Sequence, residues 1–310
     1  MPFFSIVIPT FNRGHMVADA IESALSQSFT DHEIIVVDDG SNDDTAQVVK
    51  RYGKQVQYHR QENAGVASAR NAGVALTQGE YLCYLDSDDL WPRNKLAVYK
   101  AAIDQNPGAP FIFSDFHKHD MKLERPYEVS NSDLFPYIFD FSQHLNSHIF
   151  SLSGDSLLRL LLRGYPLYPS TFAIHRRVHD HFRWDPGILK SEDFNLVLKL
   201  SCRYPFLYIN QSLATVRVHD SNKSADFITK NHVNTASMKL LRDLYLPKSK
   251  RSLCNYYISQ KYFGDGTSYF KKGLYRLSLI HIFRSLGFRE NWARLFKAAT
   301  GKVRRHSNAQ

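Results

Sequence analysis

YLCYLDSDDLW, residues 81–91, is the stretch on which the reading of the whole chain turns. An apolar run that reads as a buried strand stops in Asp86, Ser87, Asp88 and Asp89, three carboxylates within four residues. Carboxylates set side by side repel, and they are costly unless something positive joins them. They either splay into water at a turn or hold a cation.

Upstream of this stretch, strands alternate with helices. FFSIVIPTF (3–11) reads as a buried strand, and HMVADAIESALSQ (15–27) places Met16, Val17, Ala20, Ile21, Ala24 and Leu25 at helical spacing. HEIIVVDDG (32–40) is a second strand, DDTAQVVKRYG (43–53) a second helix, VQYHRQE (56–62) a short strand, and GVASARNAGVALT (65–77) a further helix. Strand, helix, strand, helix predicts an α/β fold built on a mostly parallel sheet flanked by helices. Ligands of such sheets bind beyond the carboxyl ends of the strands. Those ends are Pro9-Thr10-Phe11-Asn12, Asp38-Asp39-Gly40-Ser41 and Asp86-Ser87-Asp88-Asp89, so three polar tips are expected on one edge. No GxGxxG follows the first strand and no GxxxxGK[ST] is present, which argues against a common dinucleotide fold and a P-loop. An acidic edge needs a metal before it can hold a phosphate, and Asp88 with a divalent cation would let it bind a diphosphate.

Composition sets the frame. At 310 residues and 43% hydrophobic, the chain can bury a full core. Cys83, Cys202 and Cys254 lie far apart without CxxC spacing, so no disulfide framework or zinc ribbon is expected and a reducing compartment fits. Met1 runs almost directly into a strand, with no basic leader, so no secretory signal is expected. No run of about 18 apolar residues occurs, so no membrane span is expected. Lys and Arg exceed Asp and Glu by nine over the chain, and residues 271–306 alone hold ten Lys or Arg against Glu290. The basic character therefore belongs to one terminal segment.

Four ordered stretches carry a resemblance. SIVIPTFNR (5–13), IIVVDDGSNDDT (34–45), NAGVASARNAG (63–73) and YLDSDD (84–89) resemble the nucleotide-binding half of family 2 glycosyltransferases, which have the Rossmann-like GT-A fold. The resemblance implies that Pro9, Thr10, Asn12 and Asp39 lie against the nucleotide, with Thr10 and Asp39 at the base. It places Asp86 at the ribose, Arg70 near the nucleotide, and Asp88 on the metal bridging the two phosphates. Read singly, Asp39 and Ser41 are equally turn or cap residues and Arg70 a surface helix charge.

In the second half, GILKSEDFNLVLKLS (187–201) reads as an amphipathic helix with Ser191 as N-cap and acidic residues in its first turn. The family carries a Glu-Asp pair here; the resemblance implies Glu192 as a substrate contact and Asp193 as the general base. ATVRVHDSNKSAD (214–226) matches the family's Arg-x-His-x-x-Asn-x-Ser pattern at Arg217, His219, Asn222 and Ser224. By resemblance Arg217 contacts substrate and His219 completes the metal shell or touches the diphosphate, an imidazole suiting Mn²⁺ better than Mg²⁺. Ser170 and Thr171, in YPLYPSTFAIHR (165–176), are expected to line an acceptor pocket. His117, His119, His175, His179 and His181 show no metal spacing and are read as surface or acceptor-side residues. Residues 115–165 hold many aromatics without a steady period and are read mainly as packing, with SGDSLLRLLLRG (153–164) a short capped helix.

The implied reaction is inverting, metal-dependent transfer of a hexosyl group from a nucleotide diphosphate sugar, a UDP-sugar foremost, to a hydroxyl of a saccharide or lipid-linked acceptor. Surface polysaccharide synthesis in the cell envelope is the pathway the resemblance suggests, with Mn²⁺ or Mg²⁺ as cofactor. The implied layout is a catalytic domain over 1–228, divided into a nucleotide half (1–115) and an acceptor half (116–228), followed by a helical basic region over 229–310. In that region Leu279, Ile282, Phe283 and Leu286 fall on one helical face with Arg276 and Arg284 off it, and Trp292, Leu295 and Phe296 repeat the theme. Such a segment either packs on the catalytic domain or lies on an anionic membrane surface, giving a cytoplasmic protein or one peripheral to the inner face of the membrane. No nucleic-acid partner is expected. Two other classes stay open: a nucleotidyltransferase, whose Gly-rich basic phosphate loop is not evident in IPTFNRGH (8–15), and a nucleotide-sugar-binding protein of the membrane surface without catalysis.

Overall fold

The computed structural model describes residues 1–122, 125–188, 190–219, 227–288 and 290–295. The chain divides into two compact units, Met1–Phe227 and Ile228–Gln310. The first unit opens with β1 (Phe4–Thr10), α1 (Gly14–Leu25), β2 (His32–Asp38), α2 (Thr45–Lys50), β3 (Gln57–Arg60), α3 (Val66–Leu76), β4 (Tyr81–Tyr84) and α4 (Lys95–Gln105). It continues with β5 (Phe111–Asp120), β6 (Arg125–Ser130), α5 (Asn131–Leu134), β7 (Gln143–Asn146), β8 (Ile149–Leu152), α6 (Gly154–Arg163), β9 (Ala173–His175), α7 (Arg176–His179), α8 (Glu192–Ser201) and β10 (Phe206–Val218).

One sheet runs in the order β3-β2-β1-β4-β9-β5-β10-β8-β7, with β6 added to β5. β3, β2, β1 and β4 pair in parallel, and β10 is parallel to β5. β9 lies antiparallel between β4 and β5, which leaves those two pointing the same way. The carboxyl ends of β1, β2, β4, β5 and β10 therefore share one edge, and the site is built there.

The core follows from strand alternation. All seven residues of β1 are buried, as a central strand covered on both faces requires. Ile6, Ile8, Ile34 and Val36 pack with Val17, Ala20 and Ile21 of α1 and with Leu96 and Tyr99 of α4. Ile35 and Val37 turn to the opposite face and meet Ala69 of α3. α3 lies close on the strands because position 73 is glycine: a Cβ there would fall 3.2 Å from Val7 Cγ2 and 3.4 Å from Val37 Cγ2.

The segment with no steady period becomes short pieces at the far edge of the sheet. β8 pairs antiparallel with β10, and β7 with β8. Phe139 and Phe150 pack edge-on at 5.2 Å, and Phe150 meets Tyr208 at 6.0 Å, so these aromatics are packing as read. Ser153 precedes α6 but makes no side-chain cap hydrogen bond.

The second unit is helical in its described residues: α9 (Phe227–Leu240), a π-helical turn (Leu241–Tyr245), α10 (Lys248–Lys271) and α11 (Tyr275–Ser285). α11 folds back on α10 where Gly266 leaves room, a Cβ there falling 2.8 Å from Ile282 Cγ1. Phe296 and the basic residues after it lie outside the described residues.

Candidate active site

Three sheet tips are stitched together before any ligand is considered. Asp39 N donates to Thr10 O at 2.9 Å, Asn12 N to Ser41 Oγ at 2.9 Å, and Asn42 N to Asn12 Oδ1 at 2.8 Å. Asn12 holds a left-handed backbone (φ 51°), which asparagine tolerates better than most residues. The buried Asp39 carboxylate accepts from Ala64 N (2.9 Å), Gly65 N (2.8 Å) and Gln61 Nε2 (2.7 Å), fixing the loop that enters α3. Thr10 Oγ1 is buried with no hydrogen-bond partner among the described residues, a polar atom left over on the nucleotide edge.

The carboxylates that follow β4 point three ways. Asp86 Oδ1 accepts from Arg70 Nη2 at 2.7 Å. Asp89 turns inward, where its carboxylate accepts from Ser170 Oγ at 2.5 Å and Arg217 N at 3.1 Å. Asp88 faces the tip of β10: its Oδ2 lies 3.1 Å from His219 Nε2 and 3.8 Å from Arg13 Nε. Burial first, and then the neighbouring Asp88 charge, raises the Asp89 carboxyl well above its usual range. Asp86 is also raised by burial, with Arg70 pulling the other way.

β10 reaches this loop through paired backbone bonds, Leu90 N to Thr215 O at 3.1 Å and Thr215 N to Leu90 O at 2.8 Å. That pairing brings His219, just past the strand end, to Asp88. Asp88 and His219 form a carboxylate–imidazole pair, and no third His, Cys, Asp or Glu completes a metal cluster among the described residues. Such a pair could supply two ligands to a divalent ion, the carboxylate suiting Mn²⁺ or Mg²⁺ and the imidazole suiting Mn²⁺ better.

Arg70 joins the two halves of the first unit. Its guanidinium is buried, with Nη2 on Asp86, Nη1 on Glu192 Oε1 at 2.5 Å, and its plane 4.4 Å from the Trp184 ring. The next residue, Asn71, bonds the Trp184 backbone in both directions, donating to its O at 2.8 Å and accepting from its N at 3.1 Å. Glu192 is thereby pinned at the first turn of α8. Asp193 follows it, half-buried beside Tyr165, whose phenol is raised well above its usual range by burial and next by the Asp193 charge.

Arg217, expected against substrate, bonds protein through Nη1 to Asp19 Oδ2 (2.6 Å), Nε to Asp88 O (2.5 Å) and Nη2 to Met16 O (3.3 Å). Three expectations need correction. Ser191 does not cap α8 with its side chain: it has a left-handed backbone (φ 56°) and makes no side-chain cap bond, while the next residue, Glu192, pairs with Arg70. Ser170 and Thr171 are fully buried: Ser170 braces the acidic loop, its Oγ accepting from Asp86 N at 3.1 Å while it donates to Asp89, and Thr171 Oγ1 donates to Tyr168 O at 2.7 Å. His179 is a core residue bonded to Tyr84 OH at 2.8 Å, and burial lowers it to about 4.

A sequence profile described as "Glycosyl transferase family 2" matches residues 5–165, just over half of the chain. The chain belongs to glycosyltransferase family 2. Among curated relatives, the chondroitin synthase of Escherichia coli is 27% identical over 290 residues, 86% of this chain and 37% of that protein. The chain spans about a third of the length of the curated relatives it matches most extensively. Among solved structures, S. aureus TarS 1-349 in complex with UDP-GlcNAc matches with a TM-score of 0.64 at 17% identity, over 84% of this chain and 73% of that one. The mannosyltransferase PcManGT from Pyrobaculum calidifontis, in complex with GDP-Man and Mn²⁺, matches with a TM-score of 0.62 at 16% identity, over 97% of this chain and 81% of that one. The fold is GT-A, a central α/β sheet flanked by helices.

Several residues of this family 2 site escape a reading of motifs. Arg13 and Asn71 sit inside quoted stretches, yet their partners, Asp88 and Trp184, cannot be assigned from local spacing. Trp184 and Tyr165 lie outside any motif, and only the fold brings them to Arg70 and Asp193. Asn222 and Ser224 of the Arg-x-His pattern lie outside the described residues.

Proposed function

We propose that this glycosyltransferase moves a sugar, with inversion, from a nucleotide diphosphate sugar to a hydroxyl of a saccharide or lipid-linked acceptor in surface polysaccharide synthesis. A UDP-sugar is the favoured donor, a reading supported by the UDP-GlcNAc complex of TarS. The observation that carries the proposal is the meeting of two acidic stations at the strand-tip edge. Asp88 and His219 stand together at the tips of β4 and β10, and Asp193 follows Glu192 on a helix start tied to Asp86 through Arg70.

In this reading Thr10, Asn12 and Asp39 receive the nucleotide and Asp86 receives the ribose. Asp88 and His219 hold Mn²⁺ or Mg²⁺, as the Mn²⁺ complex of PcManGT encourages. Such an ion, when bound, offsets charge growing on the departing diphosphate. Asp193 takes the proton of the acceptor hydroxyl as its oxygen forms a bond to the anomeric carbon. The bond from that carbon to the diphosphate breaks, and its electron pair leaves with the nucleoside diphosphate. General-base help of this kind is worth on the order of 10² to 10⁴ in rate. We place the work at the inner face of a membrane, where a lipid-linked acceptor would be presented.

Calorimetric titration with UDP, GDP and dTDP, each with and without Mn²⁺, tests the proposal on the wild type and on Asp88→Ala. Metal-dependent binding of one nucleotide, lost in the variant while the fold is kept, is expected. Folded wild type that binds none of the three would overturn it.

A further inference from the structure

α11 keeps a large part of its apolar surface on the side turned to water. Its fully buried residues are Ser278, His281 and Ser285, with half-buried Ile282 beside them at Gly266, and His281 is flanked edge-on by the rings of Tyr262 at 5.3 Å and Tyr269 at 4.9 Å. Its outward row is Tyr275, Leu279 and Phe283, four residues apart and 60%, 61% and 70% exposed. Large apolar side chains gathered on one exposed stripe mark an interaction surface. Arg276 and Arg284 each follow one member of the row and are exposed, and Lys271 and Lys272 precede it. α11 itself contains no acidic residue.

We infer that α11 is a membrane-surface helix, with Tyr275, Leu279 and Phe283 entering the headgroup boundary and Arg276 and Arg284 binding anionic lipid headgroups. No helix among the described residues is long and apolar enough to cross a membrane, so the helix lies on the bilayer. An aromatic and aliphatic face bordered by arginines is the composition that binds there. A second copy of the chain is the poorer occupant. A two-fold interface through this row would bring Arg276 and Arg284 of both copies into one patch with no carboxylate on α11 to answer them. The inference deepens the membrane placement proposed above and rests on it, but its test needs neither donor nor acceptor.

The full chain is floated with vesicles of phosphatidylcholine alone and of phosphatidylcholine with phosphatidylglycerol. Wild type is expected to partition at least ~10-fold more strongly to the anionic vesicles, and salt should weaken that binding. Leu279→Asp/Phe283→Asp and Arg276→Glu/Arg284→Glu are each expected to lose at least ~10-fold of it, with circular dichroism and UDP binding unchanged. Equal binding to both vesicle types, or variants that bind like wild type, would overturn the assignment of this face. Light scattering provides a further check: a wild-type dimer that Leu279→Asp/Phe283→Asp converts to monomer would make the row a contact between copies and overturn the inference. Vesicle binding in a protein that binds no nucleotide would sink the transferase reading and leave this one standing.

Discussion

Replacing Arg70 by Met should unfasten the two halves of the catalytic unit. The guanidinium is almost wholly buried, and it meets Asp86 at 2.7 Å and Glu192 at 2.5 Å, side chains that are 21% and 10% exposed. Each pair gains roughly 4 kcal/mol at an effective dielectric of about 20, and much of that offsets the cost of taking the ions out of water. Removing the cation alone loses the attraction and leaves two carboxylates facing each other in a poorly solvated place. The expected loss is about 3–5 kcal/mol, a large part of a typical total of about 5–15. Glu192, the more buried carboxylate, should account for the greater share.

A double-mutant cycle isolates that share. Urea unfolding at neutral pH is compared for wild type, Arg70→Met, Glu192→Gln and the double variant. The double variant leaves no carboxylate unpaired at position 192, so it should be more stable than the sum of the single losses predicts, by about 2 kcal/mol. Single effects that simply add, within about 0.5 kcal/mol, would refute the claim that this pair fastens α8. Arg70→Lys keeps the charge but loses the two-pronged geometry. Because Asp193 follows Glu192, it should lose on the order of 10² in kcat, the cost of a base misplaced by about 1 Å, with UDP affinity less affected.

Other outcomes follow from the same geometry. Asp193→Asn should lower kcat by roughly 10² to 10⁴ while calorimetric UDP affinity stays close to wild type, and unchanged turnover would remove Asp193 as base. Lys95 is fully buried, donates to Tyr99 OH at 3.0 Å, and is pulled by burial from 10.5 to about 7. Between those values the unfolded chain binds the proton that the folded one has released, so this group makes stability rise with pH from about 7 to about 10.5. Lys95→Met should therefore gain on wild type most at about pH 6 and lose that advantage toward about pH 10, as thermal melts across pH would show. Gly73→Ala drives a methyl into Val7 and should cost about 1–3 kcal/mol in urea unfolding, whereas a neutral result would mean that α3 can shift off the sheet.

The first four strands and their helices were legible because they are local. β1, β2 and β4 are buried runs, their helices repeat at helical period, and strand tips in a parallel sheet meet by topology alone. The resemblance implies Asp88 on a metal and His219 at the metal or the diphosphate, and the two stand 3.1 Å apart. What stayed hidden depends on contacts between distant segments. Ser191 has the sequence of an N-cap, but the left-handed backbone forced on it where Glu192 reaches Arg70 is a tertiary effect. Arg217 has the look of a ligand residue, and only the passage of α1 beside it supplies Asp19 and the Met16 carbonyl that occupy it. For α11 the sequence put Leu279, Ile282, Phe283 and Leu286 on one face, whereas the structure exposes Leu279 and Phe283 with Tyr275 and turns Ile282 to Gly266; that split was not readable, because Gly266 and the Tyr262 and Tyr269 rings that accept His281 come from α10.

The three carboxylates of the acidic tip can coexist because no two of them are answered by the same partner. Asp89 is turned into the core, where Ser170 and the Arg217 backbone occupy its oxygens and burial raises its carboxyl above the usual range. Asp86 is answered by Arg70, a cation the fold itself supplies. That leaves Asp88 as the carboxylate whose answer includes His219, a weak and conditional cation. Arg13, at 3.8 Å, adds a second, longer ion pair. Among the described residues Asp89 is thus engaged wholly inside the fold, Asp86 is held by Arg70, and Asp88 stands at the strand-tip edge with His219 and Arg13. In the proposed reading a divalent ion arriving with a diphosphate would meet Asp88, Asp89 would serve folding alone, and Asp86 would serve both the Arg70 pair and the ribose.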